Sequence, residues 1–107
     1  MAYLKFLGSV RVPKTVIIAA AAINSINSLG IVTDLVITSG NDGVHMRGSK
    51  HYTDEALDFR TKNLSMIDKY RLTTTLAIRL GKGYDLVLED KDGPNEHLHV
   101  EWDPKPV

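Results

Sequence analysis

The chain contains no cysteine among its 107 residues. That excludes a disulfide framework, a cysteine nucleophile and a thiolate metal site. A zinc ion here has to be held by nitrogen and oxygen ligands, a donor set that leans toward catalytic rather than structural zinc. There is also no charge of one sign in excess: 13 basic side chains balance 13 acidic ones. No long basic run marks a nucleic-acid footprint. Long hydrophobic runs are scarce too. The longest clear one, Val16 to Ile23, is about eight residues, far short of the ~20 that span a bilayer. With Lys5, Arg11 and Lys14 ahead of it, it invites a secretory reading. A buried N-terminal helix is the better reading, since a small domain needs that apolar face. The expectation is therefore a cytoplasmic protein without a signal peptide, with no membrane or nucleic-acid partner, and monomeric. Residues 1–107 are read as one domain.

What is present alternates between helical and strand periodicity. Pro13 suits the first position of a helix, where its missing N–H costs nothing. The helix runs through TVIIAAAAINSINSL to Gly30 as its C-terminal cap. Ile18, Ala22, Ile26 and Leu29 form its more apolar stripe. Ile31 to Thr38 is β-branched and reads as a buried strand. SGNDGVHMRGSK is a long polar loop, of a length that is often functional. ALDFR, residues 56–60, alternates like a strand. Ser65 with Asp68 resembles a capping box that opens a helix over about Met66 to Leu80, with Leu72, Leu76 and Leu80 at i+4 spacing. Tyr84 to Glu89 and His97 to Trp102 are strands joined by the turn DKDGPN. The order argues for an α+β domain, a small antiparallel sheet packed by two helices.

All four histidines fall in two short segments, His45 with His51 and His97 with His99. In EHLHVEW, strand alternation puts Leu98, Val100 and Trp102 on a core face and His97, His99 and Glu101 on the other. Such a face is either a ligand face or ordinary solvated sheet. In SKHYTDEALDFR, His51 and Asp58 are seven apart with a bend between them. They are either two ligands of the kind zinc prefers, or a turn histidine and an aspartate paired with Arg60. The residues alone do not choose among the four histidines.

Taken together, SKHYTDEALDFR followed by EHLHVEW resembles the signature of the zinc D-alanyl-D-alanine carboxypeptidase and dipeptidase superfamily. It also resembles the phage L-alanyl-D-glutamate endopeptidases and the zinc site of the hedgehog signalling domain. The matching elements are Ser49, His51, Ala56-Leu57-Asp58 and Glu96-x-x-His99, with VITSG ahead of the loop, and the resemblance spans about residues 14–102. It implies a hedgehog/DD-peptidase-like fold and three zinc ligands, His51, Asp58 and His99. A fourth position is left for water, whose pKa zinc lowers from 15.7 toward ~7.

It implies Glu96 as general base, with His97 the second candidate for that role. Arg47 is implied as the partner of the substrate carbonyl or carboxylate; otherwise it is a solvated loop arginine. His45 either lines the cleft or is a loop histidine without a role. Ser49 is expected to orient His51, and Tyr52 to be half-buried. One position departs from the pattern: the family places glycine where this chain has Asp54, and aspartate is among the residues that tolerate a left-handed backbone.

The implied function is a zinc metallopeptidase acting on peptidoglycan stem peptides or another short peptide, in endolysin or carboxypeptidase mode. The alternative is a hedgehog-like zinc-binding module or a virion structural protein without hydrolytic activity.

Overall fold

In the computed structural model the described residues are 13–39 and 54–104. Six elements follow one another: α1 (Lys14–Leu29), β1 (Ile37–Ser39), β2 (Ala56–Arg60), α2 (Met66–Leu80), β3 (Tyr84–Glu89) and β4 (His97–Trp102). The strands form one antiparallel sheet in the order β1-β2-β4-β3, and the protein is α+β. β2 and β4 are thus the interior strands.

Helix α1 buries Ile18, Ala22 and Ile26, the expected stripe. The apolar run Val16 to Ile23 lies within it. No helix among the described residues is long and apolar enough to cross a membrane. Gly30 closes α1 at φ 70°, a left-handed conformation that glycine adopts without a side-chain clash. Pro13 stands one place earlier than expected. Its ψ of 146° leaves it outside the helix, and Lys14 is the first helical residue. Helix α2 begins as expected: Ser65 Oγ accepts the Asp68 N–H at 3.1 Å, satisfying one of the orphan donors of the first turn. Leu72 and Leu76 are fully buried.

The buried strand expected over Ile31 to Thr38 is corrected to a three-residue edge strand. Ile31 is still leaving the helix, its N–H donating to the Ile26 carbonyl at 3.1 Å. Its side chain packs with Ile26, Leu64 and Leu72. Val32 is 98% exposed and Ile37 49% exposed. β-branched composition marked a fit to extended backbone here, not a central position in the sheet.

The two helices cover one face of the sheet. Ile18, Ala22 and Leu76 pack there on Leu57, Phe59, Leu98 and Val100. Trp102, expected on that same core face, lies at its rim. Its ring is 4.9 Å from that of Tyr84, with Lys14 Nζ 4.3 Å from its centroid. Because side chains alternate along a strand, the face turned away from the helices carries Asp58 and Arg60 from β2, His97, His99 and Glu101 from β4, and Asp85, Val87 and Glu89 from β3.

Candidate metal centre

Asp58 and His99 are direct register partners across β2 and β4. Strand pairing itself therefore brings their side chains together on the outer face. His99 Nδ1 lies 2.8 Å from Asp58 Oδ1, and His99 Nε2 lies 2.8 Å from Glu101 Oε1. The imidazole is thus held at both nitrogens by carboxylates. Hydrogen bonding to Asp58, opposed by desolvation and reinforced by Glu101, raises its pKa from 6.5 to about 9.

Two more groups approach the pair. His97 Nε2 is 3.9 Å from Asp58 Oδ2, and Glu89 Oε1 is 3.8 Å from His99 Nδ1. His97 turns its other nitrogen, Nδ1, to the Asn95 carbonyl at 2.7 Å. On the far side of Glu101 its carboxylate gathers with those of Asp85 and Asp103, with oxygens within 4.8 Å of one another. That oxygen-only set carries no mark of zinc, which takes nitrogen or sulfur donors where it can.

Of the residues singled out in the sequence, Asp58, His97 and His99 are brought together. His51, Arg47, His45, Ser49 and Tyr52 lie outside the described residues. Asp54, at the family's glycine position, adopts φ 55°, the left-handed conformation expected of it.

Glu96, the expected general base, is placed away from the His99 face. Its parity along β4 is that of Leu98 and Val100, so it points to the helix side. Its side chain is 2% exposed, with Oε1 2.6 Å from Lys69 Nζ of α2. Oε1 also accepts the Thr61 hydroxyl at 2.7 Å, and Oε2 accepts the Asp92 N–H at 2.8 Å. These donors, Lys69 first, hold its pKa down from 4.5 to about 2. A carboxylate so thoroughly held in its charged form is a poor proton acceptor. Its place is structural: it ties the β3–β4 turn to α2.

The residues the sequence left unassigned are Glu89, Glu101 as a partner of His99, and Lys69. Alternation had already put Glu101 on the histidine face. Lys69 was readable as three residues before Leu72 and seven before Leu76, on the buried stripe of α2.

Zinc is the group the resemblance implies, and of the implied ligands the described residues bring Asp58 and His99 side by side. An imidazole nitrogen and a carboxylate oxygen converge at 2.8 Å. That is the length of a charge-assisted hydrogen bond, and two ligands of one tetrahedral zinc would stand farther apart, at roughly 3.3–3.6 Å. The remaining nitrogen of His99 meets a carboxylate, the usual arrangement around a metal-bound histidine. Comparison with protein-family models, with curated proteins and with solved structures finds no match to this chain. The fold defines an α+β domain with a polar sheet face, and on that face the donor cluster is the feature that calls for a function.

Proposed function

We propose that the protein is a zinc-dependent metallopeptidase that hydrolyses a peptide bond, with peptidoglycan stem peptides as its substrate class. The observation that carries this reading is His99 held between Asp58 and Glu101 on a face that also presents His97. The sequence resemblance supports it, with His51 added from that source. Asp58 and His99, together with His51, would hold the metal. When bound, zinc supplies a Lewis acid that polarises the scissile carbonyl and makes water nucleophilic at neutral pH.

The chain's own residues have two further tasks. Glu101 keeps the His99 ring in place. His97 takes over the proton-carrying role that Glu96 does not fill. Its Nε2 faces Asp58, and its Nδ1 is engaged by the Asn95 carbonyl, so Nε2 is the atom left to receive a proton from the attacking water and return it to the leaving amine.

The test is hydrolysis of purified wall sacculi and of a D-alanyl-D-alanine peptide, with zinc and with chelator, followed by release of free amines. Zinc-dependent release is expected, lost with chelator and in Asp58→Ala and His99→Ala. No zinc-dependent release on either substrate overturns the proposal.

One observation favours a second reading. An imidazole paired at both nitrogens and protonated to about pH 9 is also a good ionic clamp between strands. In a hedgehog-like binding module it would need no hydrolytic function. Hydrolysis separates the two: a folded chain that binds zinc and releases no free amines from either substrate belongs to the second.

A further inference from the structure

We propose that the outer side of β3 is a docking edge for an extended peptide whose residues alternate between apolar and basic, the peptide pairing as a further strand of the sheet. The inference goes beyond the zinc reading and does not rest on it.

Main-chain directions in β4 settle which groups of β3 are turned outward. Trp102 N–H donates to the Glu55 carbonyl at 2.8 Å, on the β2 side, and Asp103 N–H donates to the Gly83 carbonyl at 2.6 Å, on the β3 side. Along a strand these directions alternate, so Glu101, His99 and His97 turn their main-chain groups to β3. Their register partners Asp85, Val87 and Glu89 answer them. Tyr84, Leu86 and Leu88 therefore turn their N–H and C=O groups away from β4. Among the described residues no strand pairs with that side, since β3 ends the order β1-β2-β4-β3. The register with β4 runs without a bulge from Tyr84 to Glu89, and YDLVLE contains neither lysine nor proline. A regular edge of this kind is a template for strand addition. Its blocking devices are Asp85 and Glu89, and their sign decides which partners are turned away.

The two faces beside the edge differ. On the helix side a groove of about 650 Å³ is lined by Thr74, Ala77 and Ile78 of α2 and by Tyr84 and Leu86 of β3. Ile78 is 76% exposed there, an apolar surface for a partner to cover. Across the edge the same groove reaches Asp85, Glu101 and Asp103. Asp85 stands directly opposite Glu101, and the oxygens of all three carboxylates lie within 4.8 Å of one another. Like charges directly opposite on paired strands repel, and a cation brought alongside offsets that repulsion. A carboxylate accepts several hydrogen bonds, so the attraction does not require any of the three to lack a partner within the chain.

A strand laid about 4.8 Å from β3 presents alternate side chains to these two faces. Apolar side chains at every second position enter the groove, and lysine or arginine at the positions between reach the carboxylates. A second copy of β3 fits badly, because antiparallel pairing of two such edges sets the acidic row of one copy against that of the other.

The test uses the full chain without added metal and fluorescein-labelled peptides of about eight residues, a little longer than β3. One peptide alternates lysine with valine, the other glutamate with valine. Anisotropy should show the lysine peptide binding at least roughly ten-fold more tightly, with affinity falling as salt is added. Hydrogen exchange should slow at the Tyr84, Leu86 and Leu88 amides in the complex, while the Asp85, Val87 and Glu89 amides, already bonded to β4, change little. Asp85→Asn combined with Asp103→Asn should weaken the lysine peptide roughly three- to ten-fold. Ile78→Asn should weaken it as well, and thermal unfolding of each variant checks that the fold is kept.

Equal affinity for the two peptides overturns the proposal, as does binding of the lysine peptide without slowed exchange at Tyr84, Leu86 and Leu88. A chain that takes up one calcium ion, loses it in Asp85→Asn and shows no preference for the lysine peptide also overturns it, since the three carboxylates are then a cation site. So does a chain that dimerises with protection of those same amides, its edge being taken by its own copy. None of these results bears on zinc-dependent hydrolysis.

Discussion

Replacing Glu96 by glutamine separates a structural role from a catalytic one in a single variant. In the folded chain Lys69 Nζ, with its side chain 11% exposed, is neutralised by Glu96 Oε1 at 2.6 Å. Removing the negative charge leaves a nearly buried ammonium without a counter-charge. Breaking such a pair from one side typically costs 3–5 kcal/mol; the flexible lysine stem can swing toward water, so about 3 kcal/mol is expected here. For a domain of this size that lowers Tm by roughly 12–24 °C. The second variant, Lys69→Met together with Glu96→Gln, removes the stranded charge and should recover at least ~1 kcal/mol of the loss, a coupling readable from a double-mutant cycle.

The assay is urea and thermal unfolding followed by circular dichroism, with turnover measured below the Tm of each variant. Turnover per folded molecule should stay within a few-fold of the unaltered chain. Unfolding free energy within ~0.5 kcal/mol of the unaltered chain, combined with a 10²–10⁴-fold loss of turnover, would refute the reasoning and return Glu96 to the role of general base. The pH profile adds an independent check. Because the folded pKa of Glu96 is lowered to about 2 from 4.5, its stabilisation is present above pH 4.5 and lost as pH falls toward 2. The acid limb of the stability curve should flatten there in Glu96→Gln.

His99 gives the opposite sign. Its pKa in the folded, metal-free chain is raised to about 9 from 6.5. Its contribution is therefore complete below pH 6.5 and disappears as pH rises through 9, so metal-free Tm should fall over that window and His99→Gln should abolish the slope. Gly83→Ala should destabilise by about 1–3 kcal/mol, because φ is 94° and the added Cβ meets the Trp102 ring. As Trp102 is the single tryptophan, its emission should shift in the folded state. Asp54→Gly should be neutral or slightly stabilising, and Asp54→Ala should lose ~1 kcal/mol by thermal unfolding, since φ 55° is strained for a side chain that cannot bond its own backbone.

Much of this architecture was legible in the chain. The limits of α2, β3 and β4 followed from signals that act locally: the Ser65 cap, the Leu72–Leu76–Leu80 spacing and the period-two alternation of HLHVEW. Residues 31–36 were not, because whether a β-branched run joins a sheet depends on what lies beside it. Here Ile31 finds a better partner in Ile26, Leu64 and Leu72 than in a neighbouring strand. In the site, local pattern matching and strand geometry gave conflicting answers for Glu96. Its spacing from His99 suits a motif. An interval of three along a continuous strand, however, puts two side chains on opposite faces, and the same alternation that grouped His97, His99 and Glu101 already set Glu96 with Leu98 and Val100. Lys69, the partner Glu96 meets, sits 27 residues away, beyond the reach of any local signal.

The site and the core share the same two interior strands, and this ties function to register. Asp58 faces His99 because Leu57 faces Val100 and Phe59 faces Leu98 in the same ladder. A slip of one residue would carry His99 into the apolar layer and Leu98 out to water, so the hydrophobic core itself enforces the spacing of the two donors. Side chains mounted on paired strands hold their separation better than side chains on loops. The 2.8 Å approach of Nδ1 to Oδ1 is therefore a property of the folded sheet before any cation arrives. It follows that Phe59→Ala should weaken zinc binding as well as stability. Phe59 lies on the opposite face, 1% exposed, and its loss should cost about 3–5 kcal/mol. On the proposed zinc reading, an ion that binds only the folded state should restore part of the lost Tm by mass action. A destabilised Phe59→Ala chain that binds zinc as tightly as the unaltered chain would show that donor spacing and core packing are independent.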